Sequence, residues 1–362
     1  QIPAGILLDS FGPKKMLPIM IVLSGISCLI FQHADSSHTA VLGRLIMGLA
    51  CAPGIIGGFY IASQYLPKHL FPLLAGITEM MGTLGGAIGE VFLSHSVKLY
   101  GWRDTMLICS ICAFIIAAIA WVLLKKLHKT SKKITQSIAI DPSQYAPNNP
   151  KTTFLSDLKL MLVNAQIWIN IFYCGLLYTI IASFAQLWAI PFIKERYVFS
   201  TQQAALTTAM LFIGASLGLI FFGALVSKIG KYRQVMFISS VICLIDLCVI
   251  LYVPNIPLVI TYFLFLILGF FCASYAIPFS VVKTLTPPKA HGTAMGLTNM
   301  LCVIPGTLIL QPLIPVLLTY ISKINHKSTQ TLTNTDYRYA LSVITLCVVI
   351  GVILSLFMKE EY

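Results

Sequence analysis

The stretch Gly5-Ile-Leu-Leu-Asp-Ser-Phe-Gly-Pro-Lys-Lys15 has a diverged second copy in this chain, and that repetition decides how the rest of the sequence is interpreted. It returns 218 residues later as Gly223-Ala-Leu-Val-Ser-Lys-Ile-Gly-Lys-Tyr-Arg233. Two further stretches repeat in the same order, at offsets of 221 and 220: Leu45–Ala52 with Leu266–Ala273, and Gly76–Met80 with Gly296–Met300. Three matches in one order at nearly one offset indicate two homologous halves.

The composition excludes a soluble enzyme. Of 362 residues, 57% are hydrophobic and 10% are charged, and the mean hydropathy is +0.87, whereas soluble proteins carry about 25% charged residues. Apolar blocks of the length that a bilayer requires lie near 17–31, 41–63, 71–93, 105–124, 167–190, 204–226, 235–252, 257–282, 292–321 and 339–357. The sequence therefore predicts an all-α polytopic membrane protein with ten transmembrane helices.

The distribution of basic residues predicts the orientation. With the start of the chain in the cytoplasm, sixteen of the 24 Lys and Arg residues lie in inside segments and seven in outside segments, as the positive-inside rule requires. The long polar loop at 125–166 carries much of this difference, and its basic start is either a topology signal or a contact for anionic lipid. We predict an N-terminal helical bundle at 1–124, a cytoplasmic central loop at 125–166 and a C-terminal helical bundle at 167–362.

The repeat also predicts what precedes the chain. About 55 residues with two spans precede Gly223, whereas four residues precede Gly5, and the first residue is Gln. We expect roughly 50 upstream residues that carry a first span and most of a second, which would bring the total to twelve spans.

The segment Gly5–Lys15 resembles the signature loop between the second and third spans of the major facilitator superfamily. Supporting marks are the weaker copy at 223–233, Arg44-x-x-x-Gly48 and Gly101-Trp-Arg103. Two departures are Ser10, where a basic residue is usual, and Ser227, which replaces the aspartate and should cost the second loop its acidic contact. The resemblance implies two six-helix bundles that alternate access to a central site, with Asp9 closing onto the chain near Gly292. It also implies a gating set formed by Gly5, Asp9, Gly12, Lys14, Lys15, Gly223, Gly230 and Arg233.

Three charges in the first bundle need an explanation, because an ionisable group within a membrane is costly. From the helical rise, Arg44 lies roughly 12 Å and Glu90 roughly 10 Å outside the midplane, and Glu79 about 6 Å inside it. Arg44 and Glu90 are either an ion pair or, for the arginine, a substrate contact. Glu79 has no evident partner and is our candidate for proton coupling. Its counterpart in the second half is Asn299, so the charge belongs to one bundle only.

Polar residues in two other spans are candidates to line the cavity. Thr179, Ser183 and Gln186 share one face of a regular helix in the seventh span. The resemblance assigns both the seventh and the tenth span to the cavity wall, and the full set is Tyr178, Thr179, Ser183, Gln186, Tyr262, Ser274 and Tyr275. The alternative for each is a hydrogen bond to a neighbouring helix.

We expect a secondary transporter that moves a small polar or anionic organic solute, coupled to protons. Two alternatives are a membrane solute sensor on the same fold and, with less support, an intramembrane enzyme, for which the spans show no catalytic cluster. The predicted partners are the solute, protons and the lipid bilayer, in a multi-pass monomer of the plasma membrane (the inner membrane, if the protein is bacterial). The basic residues lie in loops without interleaved aromatics, which argues against nucleic acid, and no cofactor or metal is expected.

Overall fold

The computed structural model describes residues 1–137, 163–287, 290–324 and 332–359, and within them all side chains except those at 65, 68, 86–88, 90, 91, 94 and 127–137. The described chain is helical and contains no strand. Its α-helices are α1 Ile2–Phe11, α2 Pro13–Gln32, α3 Ser37–Cys51, α4 Pro53–Tyr65, α5 Phe71–Ser137, α6 Ala165–Thr179, α7 Ala189–Tyr197, α8 Thr201–Ile229, α9 Tyr232–Tyr252, α10 Leu258–Cys272, α11 Ile277–Leu285, α12 His291–Val303, α13 Gln311–Ile324 and α14 Asn334–Leu356.

Nine helical stretches of the described chain are long and apolar enough to cross a bilayer, counting runs such as α3 with α4 as one. They cover nine of the ten predicted blocks. The remaining block, 71–93, lies in α5, where several side chains are outside the description. Gly101 has φ 78° and ψ 168°, so α5 is two helices joined at that glycine.

The described chain divides into two compact units. The first unit contains Gln1–Pro67, Gly85–Met161 and Thr286–Leu297, and the second contains Lys68–Leu84, Leu162–Leu285 and Thr298–Tyr362. Each unit thus takes one short segment from the other half of the sequence. The division at the central loop follows the repeat and stays a prediction.

The repeated loops end their helices with the same residue. Gly12 follows α1 with φ 74°, and Gly230 follows α8 with φ 70°. A positive φ is a conformation that glycine adopts without a Cβ penalty. This explains why both copies keep a glycine here although the residues around it differ.

Three irregular helical segments interrupt the spans of the second unit. Ile180–Trp188 and Ile304–Leu310 are π-helical, and Ala273–Ala276 is a 3₁₀ turn. Prolines account for two of them: Pro278 cannot donate to Ser274, and Pro305 cannot donate to Leu301. Pro305 leaves the Leu301 carbonyl without its helical donor. That carbonyl oxygen lies 2.7 Å from the position that a Cβ at Gly175 would take.

Candidate functional site

Glu79 is a buried carboxylate whose described partner is a tyrosine. Its side chain is 6% exposed, and the hydroxyl of Tyr275 donates a 3.0 Å hydrogen bond to Oε2. Oε1 is buried without a hydrogen-bond partner among the described residues. The two residues come from opposite halves of the sequence and lie together in the second unit.

The local sequence around Tyr275 positions this donor. Tyr275 lies in the 3₁₀ turn that precedes Pro278, so the proline changes the direction of the tyrosine relative to a regular helix. The ring of Tyr178 packs on that of Tyr275 with centroids 4.9 Å apart. Tyr178 thus packs on the tyrosine that donates to Glu79.

Ser274 supports the same turn from its other side. Tyr173 donates to the carbonyl of Met236 at 2.8 Å, and since its single proton is used there, the hydroxyl of Ser274 donates to Tyr173 at 3.0 Å. All three side chains are fully or almost fully buried. Ser274 therefore bonds to a neighbouring helix, which was the alternative to a cavity role.

The helix that carries Glu79 packs at backbone distance on α8. A Cβ at Gly76 would lie 2.1 Å from the Leu219 carbonyl oxygen, and a Cβ at Gly223 would lie 2.6 Å from that of Pro72. Glycine is required because any side chain at these positions must push a backbone away. This contact fixes the depth at which Glu79 meets Tyr275.

Asp9 caps the first turn of α12 within the first unit. Its Oδ1 accepts from the backbone N–H of Gly292 at 2.9 Å, and its Oδ2 accepts from the N–H and the hydroxyl of Thr293 at 2.8 and 2.7 Å. The N–H groups of a first turn have no partner within their own helix, so Asp9 supplies their acceptor. The contact near Gly292 that the family resemblance implied is present, and its role as a gate stays a prediction.

The charge of Asp9 carries an opposing cost. Burial raises the pKa of Asp9, while the hydrogen bonds from Thr293 and Gly292 lower it. The net effect on the pKa is upward, so the loss of hydration outweighs the three hydrogen bonds. A neutral acceptor at this position would avoid that cost.

Ser227 holds the equivalent position in the second copy. Its hydroxyl donates to the carbonyl of His69, just before α5 begins at Phe71. The second loop therefore keeps a tertiary contact and lacks the acidic one, as the serine predicts.

Arg44 is exposed and lies over an aromatic ring. Its guanidinium carbon is 5.0 Å from the centroid of Phe31, and Gly48, on the same face, has open space where a Cβ would be. No described residue packs closely on this face at Gly48. The side chain of Glu90 lies outside the described residues, so the Arg44–Glu90 pair stays a prediction.

The shared face predicted for Thr179, Ser183 and Gln186 is not formed. Thr179 and Ser183 are buried and Gln186 is exposed, because the π-helical turn from Ile180 is wider than an α-helical turn and rotates Gln186 away. Thr179 donates to its own helix, at the Leu176 carbonyl. Tyr262 is half-buried, and Asn299, the counterpart of Glu79, is buried. Their roles stay predictions.

Gln311 is a residue that the sequence reasoning missed. Its side-chain amide donates to the carbonyl of Ala182 at 2.7 Å, inside one π segment, and Gly306 of the other approaches the Ala182 methyl group. Pro305-Gly306 followed by a glutamine inside an apolar block was the available signal for this junction.

Comparison with known proteins identifies relatives over parts of the chain. The chain is 32% identical over 101 residues to the nitrate/nitrite transporter NrtP of Picosynechococcus sp. The aligned residues make up 28% of this chain and 18% of that protein. It is 30% identical over 112 residues to the probable sulfoacetate transporter SauU of Cupriavidus necator, 30% of this chain and 25% of that protein. The matches thus span less than a third of either relative's length.

The fold is that of solved transporters. The crystal structure of the transporter FucP in the outward conformation superposes with a TM-score of 0.67 at 15% identity, covering 99% of this chain and 86% of that one. With nine candidate spans among the residues that the structure describes, the chain is an integral multi-pass membrane protein. The model of the Major Facilitator Superfamily matches residues 1–310, and the chain belongs to that family.

Proposed function

We propose that this protein is a secondary transporter that moves a small anionic or polar solute by alternating access, and that Glu79 couples the movement to protons. The main support for this proposal is the buried carboxylate of Glu79. Among the described residues, one tyrosine hydroxyl donates to it and no cation contacts it. A carboxylate in a low-dielectric site is costly when charged. Uptake of a proton by Glu79 removes that cost, so burial and protonation are coupled.

The helix interruptions around Glu79 support a transport role. The 3₁₀ turn at Ala273–Ala276 carries its hydrogen-bond donor, and π segments interrupt two further spans of the same unit. Irregular backbone inside a membrane is tolerated where protein buries it or where it lines a cavity, and transporter folds use such breaks at their substrate and ion sites. Gln311 satisfies one of the carbonyls concerned.

The names of the relatives favour an anion. Nitrate, nitrite and sulfoacetate all carry negative charge, and these are the compounds for which the two relatives are named. Arg44 is a cation that the described part of the chain leaves without a carboxylate partner. We therefore place small oxyanions, sulfonates and carboxylates first among the solutes to test.

The test uses the full-length protein in two stages. A thermal-shift screen against nitrate, nitrite, sulfoacetate and small carboxylates selects a ligand, because binding to the folded state raises the melting temperature. Uptake of that ligand into proteoliposomes is then measured under an imposed pH gradient, beside counterflow without a gradient. Glu79→Gln is compared with Glu195→Gln, which changes an exposed carboxylate at the end of α7.

Glu79→Gln should abolish uphill uptake and retain counterflow, because glutamine keeps the shape of the neutral acid and cannot release a proton. Glu195→Gln should retain both. Undiminished uphill uptake by Glu79→Gln would remove Glu79 from coupling. Ligand binding by the wild-type protein without uptake or counterflow would contradict transport and favour the sensor function.

A further inference from the structure

A basic cleft lies between the start of α2 and the part of α5 that follows Gly101. Its volume is about 320 Å³, and its lining residues are Lys14, Lys15, Ile19, Trp121 and Lys125. All five belong to the first unit. By the predicted orientation this end of both helices lies at the cytoplasmic surface of the bilayer.

The two helices are held together beyond the cleft. The Ser110 hydroxyl donates to the Gly25 carbonyl at 2.9 Å, and a Cβ at Gly25 would lie 2.9 Å from the ring of Phe114. The cleft therefore has two walls that are fixed by close packing further along the same helices.

The charge in this cleft is uncompensated. Three of its five lining residues are lysines, and none of the lining residues is acidic. Within the described part of the chain, Lys14, Lys15 and Lys125 have no carboxylate in ion-pair contact. Three lysines beside one cleft give it a net positive charge, which attracts an anionic group.

An apolar stripe continues from the cleft toward the middle of the bilayer. Lys15, Ile19, Val22 and Ile26 follow one another at four, three and four residues, so they share one face of α2. The three apolar side chains are exposed, Ile19 at 54%. Trp121, which is 51% exposed, has the amphipathic side chain that is typical of the membrane interface.

We propose that this cleft binds the headgroup of an anionic phospholipid of the cytoplasmic leaflet, with an acyl chain along Ile19, Val22 and Ile26. The lysines supply the charge that the phosphate requires, and basic pockets between helices on this side of a membrane suit such headgroups. A soluble phosphate ion would use the lysines and leave the apolar wall without a function. The lipid uses both.

Binding is measured on the purified full-length protein in detergent, by native mass spectrometry, with phosphatidylglycerol and phosphatidylcholine that carry identical acyl chains. Lys125→Gln is the test variant. Lys126→Gln is the matched control, because Lys126 is the next residue, is also exposed, and does not line the cleft. Lys125→Arg tests charge retention, and thermal unfolding without added lipid checks that each variant is folded.

Phosphatidylglycerol should bind more tightly than phosphatidylcholine. Lys125→Gln should weaken its binding about fivefold, while Lys125→Arg and Lys126→Gln should change it less than about twofold. Equal effects of Lys125→Gln and Lys126→Gln would show diffuse attraction and overturn the site. Equal binding of the two lipids, or displacement of phosphatidylglycerol by excess inorganic phosphate, would also overturn it.

Discussion

Asp9 and Ser227 hold the same position in the two copies of the repeat and make hydrogen bonds of opposite direction. Asp9 accepts from the backbone N–H groups of Gly292 and Thr293, whereas Ser227 donates to the backbone carbonyl of His69. A carboxylate at a helix start is favoured by the unsatisfied donors and by the helix dipole, and a serine hydroxyl brings no charge to its contact. The two loops therefore both make a tertiary contact from this position, and only the contact of the first loop involves an acidic group.

Asp9→Ala should expose the start of α12 to solvent. It removes the acceptor of the Gly292 and Thr293 amides, and a lost helix cap costs about 1 kcal/mol, which is about fivefold in population. Hydrogen exchange of the peptide that contains both amides should accelerate several-fold, with a peptide from α14 as the internal reference. Asp9→Asn should have a smaller effect, because the amide keeps one acceptor oxygen and avoids the burial cost that raises the pKa of Asp9. Unchanged exchange in Asp9→Ala would contradict the cap.

Gly76→Ala and Gly85→Ala should change stability in opposite directions although both lie in α5. A Cβ at Gly76 meets the Leu219 carbonyl at 2.1 Å, and at Gly85 it meets none of the described residues within 4 Å. Overpacking costs about 1–3 kcal/mol, while replacing a helical glycine by alanine otherwise gains about 0.5–1 kcal/mol. Thermal unfolding of the full-length protein in detergent should show a lower Tm for Gly76→Ala and a higher one for Gly85→Ala. A higher Tm for both would show that α5 and α8 are not in backbone contact.

Tyr275→Phe should destabilise the protein because it leaves a buried carboxylate without its donor. The expected cost is about 1–3 kcal/mol, seen as a lower Tm. Tyr339→Phe removes a hydroxyl from an exposed tyrosine and should leave Tm unchanged.

In the Glu79→Gln background the cost of Tyr275→Phe should fall, since a neutral amide needs the donor less than a carboxylate does. Additive losses of the two substitutions would show that Glu79 and Tyr275 do not interact.

The apolar blocks and the repeat allowed the fold to be predicted from sequence, and the family resemblance implied one tertiary contact, that of Asp9 near Gly292. Gly5, Asp9 and Gly12 form a local pattern that survives in recognisable form 218 residues later, and the loss of the acid at Ser227 was visible directly. Local patterns of this kind do not depend on how the spans pack.

The errors arose where a span departs from regular helical geometry. Gln186 was assigned to the face of Ser183 by counting 100° per residue, and the π segment from Ile180 breaks that count. Glu79 and Tyr275 were both candidate site residues, but their contact was not predicted. The sequence does not reveal the position of α5 along its axis relative to the neighbouring helices. That depth depends on a backbone contact between Gly76 and Leu219.

The glycine contacts have a reciprocity that bears on the history of the chain. Gly5 packs on Gly292 and Gly296 on Gln1, while Gly223 packs on Pro72 and Gly76 on Leu219. The offset of 218 takes Gly5 to Gly223 and Gln1 to Leu219, and the offset of 220 takes Gly292 back to Pro72 and Gly296 back to Gly76. Each contact of the first pair therefore has its counterpart in the second pair. This is the relation found across an isologous dimer interface, where residue i meets j and j meets i. A single ancestral half with one self-complementary surface would thus have sufficed to make both contacts as a homodimer. Two copies within one chain can differ at equivalent positions, as Asp9 and Ser227 do, whereas the two subunits of a homodimer cannot.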